Sequence, residues 1–147
     1  MSVGVVWGLV VTALALLAWG GQALSWLAPS VAERLTLTER ASSVEPVFHA
    51  DVRAEAAWDT LTLWTMAVAG ILLVTGVEAW AYFGLIGGGA YLYFAGRGIA
   101  SRVVMRRRGF RVGAEANVRA AYVLLVTWAV MAVITMVGAV AVLASTD

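Results

Sequence analysis

The residues best equipped for chemistry lie between His49 and Asp59. His49, Asp51, Glu55 and Asp59 offer one imidazole and three carboxylates within eleven positions. A metal site is the first possibility to weigh. Carboxylates alone favour Mg or Ca over Zn, and neither an HExxH nor an EF-hand spacing is present. At about 100° per residue, Asp51, Glu55 and Asp59 form one stripe while His49 and Arg53 lie on roughly the opposite side. No metal site and no cofactor are therefore expected, and a solvated helix face is the default reading of the stripe. His49 as a general base has no nucleophile or orienting partner in view. Gly96-Arg97-Gly98 starts like a dinucleotide loop, but the third glycine is missing and an apolar run rather than a strand precedes it. The absence of cysteine and lysine from the sequence excludes thiolate and Schiff-base chemistry. No catalytic residue is assigned.

The second charged stretch runs from Arg97 to Arg119. It holds Arg97, Arg102, Arg106, Arg107, Arg108, Arg111 and Arg119 against Glu115 alone, a net +6. From Ser30 to Asp59 three arginines face six acids, a net −3. Three readings follow for the basic stretch. Its arginines only set orientation in a membrane, or the Asp51/Glu55/Asp59 stripe docks on Arg106, Arg107, Arg108 and Arg111, or the cluster holds anionic lipid headgroups at ~1 kcal/mol per arginine near the surface. Nucleic acid is not an expected partner, since an arginine run beside an apolar segment already has an explanation.

The elements that must carry these charges are apolar. Hydrophobic residues make up 62% of the 147, with a mean hydropathy of +0.87, well above the ~45–50% usual in soluble domains. Val3 to Leu27 has no charge, no positive leader and no cleavage site, and reads as a span rather than a signal peptide. Pro29 ends it. Pro46 suits the first turn of a new helix capped by Glu45 or Ser43. Nothing then breaks the helical pattern until Gly76, so one long helix is expected, its first part in water. Thr60 to Gly96 is too long for one span and must be a hairpin turning at Gly76-Val77-Glu78.

The sequence thus predicts an all-α polytopic membrane protein. Four transmembrane helices form a bundle, at about 3–27, 60–77, 79–96 and 120–144, within one domain, 1–147. The second helix extends into the cytoplasm. All ten arginines fall in segments 28–59 and 97–119, which four spans place on one side. The positive-inside rule makes that side cytoplasmic and both termini external, with Glu78 and Asp147 on the arginine-free side. Trp7, Trp19 and Trp26 suit interfaces, and Trp80, Tyr82 and Phe83 with Tyr91, Tyr93 and Phe94 read as two aromatic belts around the third span.

Gly4 and Gly8, and again Gly84 and Gly88, make GxxxG pairs suited to close helix packing. Tyr91 and Ala95 continue the second face, and Ala121, Trp128, Ala132, Thr135 and Ala139 share a face of the last span. No carboxylate, His or Arg falls inside the predicted spans, so a proton relay or charge-lined filter lacks its usual parts. Gly87-Gly88-Gly89 is either packing surface or a helix break that frees carbonyls for a site. The function expected is that of a non-enzymatic membrane subunit, assembly partner or scaffold, a homo-oligomer or the partner of another membrane protein, joined through glycine faces. The alternative is a small oligomeric channel or transporter with a pathway near Gly87–Gly89.

Overall fold

Ser2 opens the first helix, its hydroxyl accepting from the Val5 N–H at 3.3 Å. That helix, α1, runs Val3–Leu27, and Pro29 begins a separate short helix, α2, Pro29–Arg34. The computed structural model describes residues 2–145; Asp147, assigned above to the arginine-free side, lies outside them. A 3-10 turn at Ala41–Ser43 leads to α3, Pro46–Thr62, with Pro46 in its first turn. Glu45 occupies the cap position, but its side chain does not cap; it goes to Arg111 instead. Helix α4, Trp64–Val74, follows after Leu63, whose φ of −70° keeps the helical course. Together α3 and α4 make one rod, Pro46–Val74, as the unbroken pattern predicts.

Glycine stops two helices where the sequence places them. After Val74, Gly76 takes φ +71°, and Val77 N–H reaches back to Leu72 O. After α5, Trp80–Arg107, Gly109 takes φ +80°, and Phe110 N–H reaches Met105 O. Both are left-handed terminations that satisfy carbonyls left over at a helix end. The last helix, α6, Glu115–Ala144, starts five residues before the expected span, with Glu115 in the first turn, where the helix dipole favours an acid.

Among the described residues three helices are long and apolar enough to cross a membrane: α1, the α3–α4 rod and α6. Helix α5 is 28 residues long but is not among them. Its glycines, tyrosines and arginines dilute its apolar content. The surface is apolar in a way water does not favour. Leu9, Leu17, Ile71, Val126, Val137 and Val140 all point outward, while Ala15, Ala18, Ala69, Ala95, Ala132 and Ala139 lie inside. Small residues inside and large apolar ones outside is the arrangement expected where lipid, not water, surrounds the helices.

Neighbouring helices run antiparallel, and glycine sets how closely they pass. On α1 and α4, a Cβ on Gly8 would lie 2.9 Å from Gly70 O, and one on Gly70 would lie 2.9 Å from Gly8 O. On α4 and α5, a Cβ on Gly87 would lie 2.7 Å from the Met66 backbone nitrogen. Gly84 and Gly88 face α6, at Thr135 and Ala139 and at the Met136 side chain respectively. Gly4 is looser, 3.8 Å from Leu73. Helix α5 is helical throughout Gly87–Gly89, so no helix break is present there; Gly87 and Gly88 are packing surface and Gly89 is exposed.

Polar ends of aromatic residues then orient α1. Tyr91 donates to Ala15 O (2.9 Å), Trp128 to Leu14 O (3.0 Å), Trp19 to Thr60 O (2.9 Å) and Trp7 to Thr135 Oγ1 (3.2 Å). Tyr91 is completely enclosed and is not part of an outer aromatic belt, because its hydroxyl is held by a carbonyl of α1 inside the bundle. Such interhelical bonds average ~0.6 kcal/mol in a bilayer, so they fix the orientation of α1 while close packing supplies the attraction.

Substituting alanine tests that ordering of contacts. Gly87→Ala meets rigid backbone and should cost about 1–3 kcal/mol, the usual range for overpacking. Gly88→Ala meets chiefly the flexible Met136 side chain, with the Ala132 carbonyl at an ordinary 3.4 Å, and should cost less. Gly89→Ala meets nothing within 4 Å and should be neutral or stabilising, since alanine is the better helix former. Thermal unfolding in detergent reads the order, and equal effects at all three positions would contradict it.

Candidate functional site

The acidic stripe is set by helical spacing on α3. Helix α5 stays regular past Gly96, which brings Arg97 opposite that stripe. Arg97 Nη2 lies 2.5 Å from Asp51 Oδ1, and Nη1 pairs with Glu55 Oε2. The stripe therefore docks on Arg97 and not on Arg106–Arg111. The reason is reach: Arg106 lies nine residues further, about 13 Å along the helix. Arg106 instead pairs with Glu115 across the α5–α6 turn (2.8 Å), and Arg111 with Glu45 (3.2 Å). Arg107 and Arg108 are exposed.

The stripe is also not a solvated face. The Glu55 side chain is 10% exposed and Asp59 only 1%. Glu55 Oε1 and Asp59 Oδ2 are buried without a hydrogen-bond partner among the described residues. Asp59 lies one turn further along α3 than Glu55, where α1 and α5 close over the helix. Asp59 is thus an enclosed carboxylate one residue before the predicted second span, where a solvated face was expected. One cation, Arg97, pairs with Asp51 and Glu55, and Asp59 has no ion-pair partner among the described residues. A buried charge without a partner is expensive, so this cluster is a cost to stability that packing elsewhere must offset.

A small apolar core lies beyond the charges. Val44, Phe48, Val112 and Val118 pack together, supported by Val52, Met105 and Tyr122. Glu45 N–H bonds Arg111 O at 2.9 Å. The two arginine-bearing segments are therefore packed on each other at one end of the helices. Arg102 belongs to this end: it donates to Gly98 O (2.8 Å), and its guanidinium sits 5.5 Å from the centre of the Phe48 ring. His49 is half-buried nearby and, with Glu55, borders the cavity described below. Among the described residues no group of three or more His, Asp and Glu is placed to hold a metal ion.

Sequence reasoning missed Gly70 and, although it named Arg97 and Gly87, missed Arg97 as the partner of the stripe and α4 as the partner of Gly87. For Arg97 a signal existed: it is the first arginine after the third apolar run, one residue beyond it, as Asp59 is one residue before the second. Comparison with protein-family models, curated proteins and solved structures finds no match.

A double-mutant cycle tests the pairing. Arg97→Gln and Glu55→Gln should each lower thermal stability. Their coupling should fall within the ~0.5–3 kcal/mol found for residues in contact. Asp59→Asn should cost nothing, because it removes a buried carboxyl without breaking a pair. Additive effects at Arg97 and Glu55, or a large loss at Asp59, would reject this description.

Proposed function

We propose that this chain is an integral membrane protein of non-enzymatic role, a subunit, assembly partner or scaffold, whose association surface is the outward face of α5. On this reading α5 is a fourth span beside the three more apolar helices. The arginine-bearing segments then share the cytoplasmic side and both termini lie outside, following the positive-inside rule. Arg107 and Arg108, exposed beside the membrane, are available to anionic lipid headgroups. Apart from Asp59, the other charges of that cluster are engaged within the chain: Arg106 with Glu115, Arg111 with Glu45, and Asp51 and Glu55 with Arg97.

The association surface differs from the one expected from sequence. Gly8, Gly84 and Gly88 pack against helices of the same chain and have nothing left to offer a partner. One observation carries the revised reading. Tyr82, Ile86, Gly89, Tyr93, Gly96 and Ala100 are the residues of α5 that step by four and three and stay partly or wholly exposed. A repeat of 3.5 residues is the spacing of a helix–helix seam. Two glycines on it, Gly89 and Gly96, have open space above them, which allows a second helix to approach closely. Tyrosine hydroxyls and bare helix backbone suit a protein neighbour better than acyl chains. A second copy of the chain is the simplest neighbour.

The alternative, a small oligomeric channel or transporter, has less support. It rested on a break at Gly87–Gly89, and α5 is continuous there.

Intact-assembly mass analysis in mild detergent tests the association. The parent should carry more than one chain or a co-purifying membrane protein. Gly96→Leu, placed where a Cβ meets nothing within 4 Å, should release single chains of unchanged helicity. A parent that is already a single chain, or a Gly96→Leu assembly identical to the parent, would refute it.

A further inference from the structure

Helices α1 and α6 are tied at two levels, by Trp7 to Thr135 and by Trp128 to Leu14. Beyond Leu17 on α1 and Trp128 on α6 a cavity of about 350 Å³ lies between them, within the ~300–1,000 Å³ range of ligand sites. Its walls divide by chemistry. Leu17, Phe94, Leu124, Leu125 and Trp128 line one part, and Gln22, Ser25, Glu39, Glu55 and Arg102 line the other. Leu17 and Leu124 are exposed, so the apolar part adjoins the outer surface of the helices. On the membrane reading above, it adjoins acyl chains.

The polar part has charges of both signs that do not satisfy each other. Arg102 has no carboxylate within ion-pair distance among the described residues; its contacts are a carbonyl and a ring. Burial lowers its pKa from the ordinary arginine value despite Glu55, Glu39 and Asp51 nearby, as desolvation of a charge does. Glu55 pairs through one oxygen with Arg97, and its Oε1 has no hydrogen-bond partner among the described residues. Glu39, half-buried, adds a second carboxylate to the same wall.

A single ligand that brings an anion to Arg102, an N–H donor to the acidic wall and an acyl chain to the apolar part would satisfy all three. We propose that this cavity binds a phospholipid of the ethanolamine class. Its phosphate meets Arg102, its ammonium meets Glu39 and Glu55, and one acyl chain lies between α1 and α6. A choline headgroup has no N–H to donate to the carboxylates. A glycerol headgroup carries the phosphate charge but no cation. The inference rests on the membrane reading and is independent of whether α5 associates.

The test uses the full chain, delipidated in mild detergent, with palmitoyl-oleoyl phosphatidylethanolamine, phosphatidylcholine or phosphatidylglycerol added stepwise. Bound lipid is counted by intact-mass analysis. The ethanolamine lipid should half-saturate at about tenfold lower concentration than the other two, a difference of ~1.4 kcal/mol. Arg102→Gln should remove most of that binding, and Glu39→Gln should narrow the gap to phosphatidylcholine. Gly21 lines the cavity and a Cβ there meets nothing within 4 Å, so Gly21→Leu should fill the cavity and abolish binding while helicity is kept. Equal binding of the three lipids, preference for phosphatidylglycerol, or unchanged binding in Gly21→Leu would overturn the proposal. A single chain that still prefers phosphatidylethanolamine would refute the α5 association and leave the lipid site standing.

Discussion

Two places where helix backbones nearly touch determine the rest of this structure. Gly8 of α1 and Gly70 of α4 pack reciprocally, and Gly87 of α5 packs on the Met66 backbone of α4. Helix α4 is thereby held between α1 and α5 at separations that no larger residue permits. In lipid, apolar side chains do not drive helices together, because acyl chains are equally apolar. Contact area gained by close approach is what remains. The antiparallel course of α4 and α5 then sets the register downstream, bringing Arg97 between Asp51 and Glu55 and Arg102 over Phe48.

That register explains an arrangement that is costly in isolation. Three carboxyl groups and one guanidinium gather where α3 meets α5, Asp51 and Arg97 partly exposed and Asp59 almost completely enclosed. Removing a charge pair in favour of apolar residues is often neutral or stabilising, so the cluster is poorly explained by stability alone. Its position is informative: one member, Glu55, lines the cavity that Arg102 also lines. Arg97 leaves one Glu55 oxygen without a hydrogen-bond partner among the described residues, and Glu55 and Arg102 both line the cavity.

Much of the local structure was legible in the sequence. Charge-free runs marked the helices, Gly76 and Gly109 marked stops, and Pro29 and Pro46 marked starts. The face Gly84-Gly88-Tyr91-Ala95 is buried as a unit. What the sequence hid was which face meets which neighbour. In a soluble helix the polar side reveals the buried side; α1 and α6 are apolar nearly all round, and periodicity loses that information. Gly70 stands alone in its segment without a GxxxG partner, so nothing in the pattern singled it out. Tyr91 resembled a belt residue because its hydroxyl needs a polar partner, and that partner proved to be the Ala15 carbonyl on another helix. Arg97 was hidden by the denser arginine run that follows it.

The reading of this chain as a membrane protein with its charged end in the cytoplasm depends most on whether α5 crosses the bilayer. It is the least apolar of the long helices, and its crossing decides whether Glu78 and Gly109 lie on opposite sides. The chain has no cysteine, so single cysteines at Ser2, Ser42, Glu78 and Gly109 can be probed in intact cells with an impermeant thiol reagent. Labelling at Ser2 and Glu78 with protection at Ser42 and Gly109 is the expected result. Glu78 and Gly109 labelling alike, or Ser42 labelling from outside, would contradict it.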